Sequence, residues 1–150
     1  MSIEQRVSDL GLELPPVPRP AASYVNVVRT GNLVFLSGTV GAFPDGHIPR
    51  GKVGADVTTE EAAGHARQVG LNILAILRHE LGSLDRVRRV VKLLGMVNAT
   101  PDFVEQSKVI NGCSDLFVEI FGEGHARSAV GVGSLPFGFT VEIEAIVEVE

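Results

Sequence analysis

One cysteine, one tyrosine and no tryptophan in 150 residues remove several classes of function at the outset. Cys113 alone forms no disulfide within the chain and no thiolate metal cluster, and it fits a reducing compartment. Aromatic residues make up only 5% of the chain and the formal net charge is -5. Nucleic acid is therefore not the expected partner, because phosphate binding wants a basic face and stacking platforms. No run approaches the ~20 apolar residues that a membrane span needs. The opening Met1-Ser-Ile-Glu-Gln-Arg6 is polar and lacks the apolar segment of a secretion signal. These absences predict a cytoplasmic protein with no membrane partner.

What is present is a hydrophobic fraction of 45% against 21% charged residues, enough to bury a core in one domain spanning residues 1–150. Residues 1–20 read as an extension. Ser2 and Gln5 suggest a capping box on a short helix with Ile3, Val7 and Leu10 on one stripe, followed by an extended proline-rich connector from Leu14 to Pro20. Tyr24–Val28 and Leu33–Ser37 are β-rich and flank turn residues, which predicts a hairpin. The long segment from Thr39 to Asp56 is rich in glycine and proline, the kind of loop that covers a site. Thr58 and Glu61 open a helix whose apolar stripe runs to Leu81 and stops at Gly82. Val87–Val97 reads as a buried strand, and Thr100-Pro101-Asp102 as the start of a second long helix carrying Cys113 on its apolar stripe. The order is β-β-α-β-α-β-β, an α+β sandwich with two helices on one face of a mostly antiparallel sheet.

The last stretch, His125 to Glu150, carries the chemistry. Odd positions from Phe139 to Val149 are apolar while Glu142, Glu144 and Glu148 occupy even ones, the period of a strand with one buried face. Folded back about Leu135-Pro136-Phe137-Gly138, the two arms form a hairpin with Val130 and Val132 on the buried face. Arg127, Ala129, Gly131 and Gly133 then share the other face with Glu142 and Glu144. Glu142 falls opposite Gly131, ~13 Å along the sheet from Arg127, too far for a salt bridge and wide enough for a small molecule. An arginine fork suits a carboxylate, and a glutamate at the far end suits handling of water or a proton. The alternative is a solvated strand face on which Arg127 is a surface cation.

These residues resemble a known family. Tyr24-Val25, Thr30 to Gly38, Asn98 to Phe103, Ala126-Arg-Ser-Ala-Val130 and Val141-Glu-Ile-Glu-Ala-Ile146 together resemble the Rid (YjgF-type, endoribonuclease L-PSP) proteins, over about Tyr24 to Val149. The resemblance implies a chorismate-mutase-like fold assembled as a homotrimer with ligand sites between subunits. It implies hydrolysis of reactive 2-enamine and 2-imine acids to 2-keto acids and ammonia, with no metal and no cofactor. By position it makes Arg127 the carboxylate-binding residue and Glu142 the residue that directs water, with Tyr24, Gly38, Asn111 and Ala129 lining the pocket. Ala129 stands where better known members carry cysteine. The competing readings are a non-catalytic trimer that binds a small carboxylate metabolite and, less favoured by the acidic balance, a ribonuclease or translation inhibitor.

Overall fold

A computed structural model describes residues 1–150. Its first helix, α1 (Ile3–Asp9), begins where Ser2 accepts a hydrogen bond from the Gln5 backbone N–H at 3.0 Å. The Gln5 side chain donates to Asp9 instead of closing the predicted capping box, and Leu10 is exposed while Val7 is buried. Val7 packs α1 into the core, and an ion pair adds to its hold. Glu4 receives both Nε and Nη2 of Arg78, at 3.1 and 2.6 Å, and the Leu84 N–H at 2.9 Å. The proline-rich connector continues as irregular chain, with Leu14 and Val17 packed against the core.

Strands β1 (Val27–Thr30) and β2 (Leu33–Thr39) form the expected hairpin, closed by the two residues Gly31 and Asn32 with Gly31 at φ +60°. β1 starts later than the sequence suggests, which leaves Tyr24 in the loop before it. Helix α2 (Thr59–Leu81) has the full Thr58–Glu61 capping box and ends on Gly82 in the left-handed region. Strand β3 (Val87–Asn98) follows. Helix α3 (Gln106–Phe121) opens six residues after the expected Thr100. The Thr100 N–H pairs with the Val53 carbonyl and its own carbonyl receives the Phe103 N–H, so Thr100-Pro101-Asp102 is a turn bound to the preceding loop. The chain ends with β4 (Ala126–Val132) and β5 (Val141–Val149).

The five strands lie in the order β1-β2-β5-β3-β4, antiparallel throughout except for the parallel pair β3–β4. With α2 and α3 on one face this is an α+β fold. Their packing is close: a Cβ on Gly112 of α3 would lie 1.9 Å from the Ala63 carbonyl oxygen of α2, so only glycine fits. Cys113 is fully buried beside that contact.

The expected hairpin between the last two strands does not form. β3 lies between β4 and β5, and the connection through a 3₁₀ turn at Pro136–Gly138 passes the end of β3. Leu93 pairs with Arg127 on one side and Ala145 on the other, and Gly95 with Ala129 and Ile143. Residues in register across neighbouring strands share a face. Arg127 and Ala129 therefore lie on the helix side with the buried set of β5, while Glu142 and Glu144 lie on the open side. Val130, expected in the core, is 40% exposed.

Candidate functional site

The opening in the sheet comes from a bulge. Leu36 pairs with Ala145 and Thr39 with Ile143, so three steps along β2 match two along β5, and the surplus falls at Ser37-Gly38. Glu142 projects on the open side beside this bulge. A Cβ on Gly38 would sit 2.5 Å from Glu142 Oε2, so the carboxylate occupies the space that glycine leaves. Glu142 is half-buried. Burial, and secondarily the neighbouring Glu144 carboxylate, hold its carboxyl above the ordinary carboxylate range. Such a group is suited to taking and returning a proton.

Glu142, Gly38 and Tyr24 line one cavity of about 440 Å³. Ile48 and Val40 from the long loop, Phe139 from the strand crossover and Ile76 from α2 form its apolar interior, and Pro18 and Arg19 bring the N-terminal extension to its wall. The loop expected to cover a site lines this cavity. Gly51 N–H bonds the Gly138 carbonyl and Gln68 bonds the Ala42 carbonyl, which fixes the loop over the crossover. A second, polar recess shares Tyr24, Gly38, Pro136 and Glu142 and adds Ser37 and Glu144.

Arg127 is elsewhere. Its Nη1 donates to Ser114 Oγ at 3.0 Å and its Nη2 to the Ser107 carbonyl at 3.3 Å, both on α3. Asn111 lies one turn from each of these serines and so on the same face of α3. Ala129, two residues along β4, packs on the core from the same side. Ser114 Oγ also meets His125 Nε2 at 2.9 Å. Burial first and Arg127 second push His125 below the ordinary histidine range, so it is neutral at pH 7. Its Nδ1 is buried without a partner. A bare lone pair there costs less than a stranded N–H, which places the proton on Nε2, directed at Ser114.

The six candidate residues thus form two groups. Arg127, Asn111 and Ala129 gather on the helix side at edge strand β4. Glu142, Tyr24 and Gly38 gather on the open side at β2 and β5. Sequence reasoning missed Ser114 and His125, whose only signals were the three-residue spacing from Asn111 to Ser114 and the placement of His125 two residues before Arg127. It also missed the extension as a cavity wall. No three His, Cys, Asp or Glu side chains converge in a metal-holding arrangement, and no helix is long and apolar enough to cross a membrane.

Comparison with known proteins gives a consistent set. The model of the endoribonuclease L-PSP family matches residues 16–149. Protein TCP17 of Trypanosoma cruzi is 45% identical over 142 residues, covering 93% of this chain and 89% of its own length. A 2-iminobutanoate/2-iminopropanoate deaminase of Dermatophagoides farinae is 31% identical over 145 residues, covering 93% and 95%. The crystal structure of a protein of unknown function from Agrobacterium tumefaciens superposes with a TM-score of 0.88 at 44% identity, covering 99% of this chain and 94% of that one.

Proposed function

The chain belongs to the endoribonuclease L-PSP family, and from that premise we propose that it hydrolyses reactive 2-imino acids to 2-keto acids and ammonia. The observation that carries this reading is Glu142, a half-buried carboxylate with a raised proton affinity, seated in the Gly38 bulge where a polar recess meets an apolar cavity. The Dermatophagoides farinae deaminase, a relative along nearly the whole chain, supports the reaction class.

The carboxylate of the substrate is held by Arg127 of a neighbouring copy. Within one chain Arg127 and Glu142 lie on opposite faces of the sheet, so a site that uses both is built between subunits. Val28, Phe35 and Val130, each at least 40% exposed, give the open face an apolar surface that a second copy covers. A cyclic homotrimer supplies three such junctions.

The imine enters protonated from solvent as an iminium; Glu142 takes a proton from water as the water oxygen bonds to the imine carbon, and the C=N π electrons move to nitrogen to give a neutral carbinolamine. Glu142 then returns its proton to the amine nitrogen, the carbinolamine hydroxyl gives its proton to solvent as the C=O bond forms, and the C–N bond breaks to release ammonia. The ketone remains. Imines already react with water, so positioning supplies most of the acceleration.

Ammonia release from imines made in situ by an amino-acid oxidase tests the proposal. Arg127→Lys keeps the charge but loses the planar fork, so KM should rise about tenfold or more with kcat less affected. Glu142→Gln should lower kcat by about 100-fold with KM little changed. Wild-type protein that releases no ammonia while still binding a 2-keto acid would replace the enzyme with a carboxylate-binding regulator.

A further inference from the structure

The cavity beside Glu142 is far larger than the chemistry needs. The polar recess, with Ser37, Glu144 and Tyr24, has room for the imine end of a substrate whose carboxylate reaches out to Arg127 of the neighbouring copy, while four residues join it to the deeper cavity. That deeper space measures about 440 Å³. A benzene-sized guest fits a cavity of about 150 Å³. A methyl side chain, as in the imine derived from alanine, would leave most of it to water against apolar walls.

The walls come from three separated segments. The N-terminal extension contributes Pro18, the long loop contributes Ile48, and the crossover contributes Phe137 and Phe139, whose rings lie 5.5 Å apart. Phe137 is the one residue other than glycine with a positive φ, at +56°, and it is 70% exposed at the cavity mouth. A left-handed backbone is costly for an aromatic residue, and such strain persists where surrounding structure and function hold it. Apart from its contact with Phe139, the Phe137 ring is open to solvent beside the cavity, where a guest's side chain would meet it.

We infer that this cavity is a side-chain subsite that selects 2-imino acids with bulky apolar or aromatic side chains, the imine end resting at Glu142 and the side chain lying between the extension, the loop and Phe137. The inference rests on the proposed reaction for the placement of the imine. Its selectivity is a separate matter, because a hydrophobic pocket discriminates by the apolar surface it buries.

The experiment compares imines generated from phenylalanine, leucine and alanine on the wild-type protein and on Ile48→Trp, which fills the cavity from a surface loop. The phenylalanine- and leucine-derived imines should be processed with kcat/KM at least about tenfold above the alanine-derived one, and Ile48→Trp should bring that ratio toward one. Alanine-derived imine processed as well as the larger ones would overturn the subsite and leave the reaction standing. If no imine is hydrolysed the reaction fails, and binding of phenylpyruvate against pyruvate to the wild-type protein, read by calorimetry, decides the subsite alone. Tighter phenylpyruvate binding upholds it; equal affinities overturn it.

Discussion

Arg127 is held by residues that no pattern in its own strand reveals. Ser114 lies on α3, thirteen residues earlier, and links the guanidinium to a neutral His125. Ser114→Ala should therefore leave folding intact and raise KM for a carboxylate substrate severalfold while kcat stays near wild type, a split that steady-state kinetics reads directly. Glu142 carries the opposite kind of signature. Its folded-state proton affinity is raised, so at every pH where the carboxyl is ionised the folded state bears a burial penalty; this fades as pH drops below the raised value and is gone below about 4.3, where the unfolded carboxyl is also protonated. Glu142→Gln should raise the melting temperature at pH 7 by a few degrees, with the gain shrinking toward pH 4, while removing turnover. An equal melting temperature at pH 7 would mean that burial does not strain this side chain. Cys113, read from the sequence as a packed residue, is fully buried, and desolvation holds its thiol far above the ordinary value.

The helices were legible because their signals are local. The Thr58–Glu61 capping box and the Gly82 stop lie within the element they bound. The start of α3 was misplaced because Thr100 finds its partner in Val53, a contact no local rule contains. Strand alternation likewise showed that β5 has one buried face. It carries no information on which strand lies next to it, and β3 entered between the two arms read as a hairpin. The face of β4 differs from expectation for a separate reason: apolar Val130 lies on the open side in register with Met96 and Glu142, so alternation in this edge strand points to the wrong face for Arg127. The extension was legible as a proline-rich spacer but not as a wall, because the contacts that place it are long-range: the bidentate Glu4–Arg78 pair across 74 residues and the packing of Val7 and Val17 on the core. The pair and the Leu84 N–H hold Glu4 below the ordinary carboxylate range. Glu4→Ala should release α1 and the connector while the core stays folded: amide exchange over residues 3–20 should quicken with little change in the melting temperature, and the preference for bulky imines should fall with it. Unchanged exchange there would mean that packing of Val7 and Val17 alone anchors the segment.

At the scale of the whole molecule, one chain carries Arg127 and Glu142 on opposite faces of its sheet, and the proposed reaction needs both at one site. Strand alternation predicts both residues on one surface; in the fold they lie on opposite faces, so the proposed site requires assembly to join them. In a cyclic trimer each junction would take Arg127 from one subunit and Glu142 from the next, so the two residues of any given chain serve different sites. This arrangement makes a specific demand on mixtures. Arg127→Ala and Glu142→Ala should each be inactive alone. Unfolded together in equal amounts and reassembled, they should regain activity, because a junction that draws Arg127 from a Glu142→Ala chain and Glu142 from an Arg127→Ala chain is intact. With random mixing about a quarter of junctions meet that condition. Activity should therefore return to about a quarter of the value for wild-type protein taken through the same procedure, and sedimentation should show the mixed species at the mass of three chains. Mixed trimers with no regained activity would place both residues in the same site of the same chain, or outside any common site, and the interfacial mechanism would fall with them.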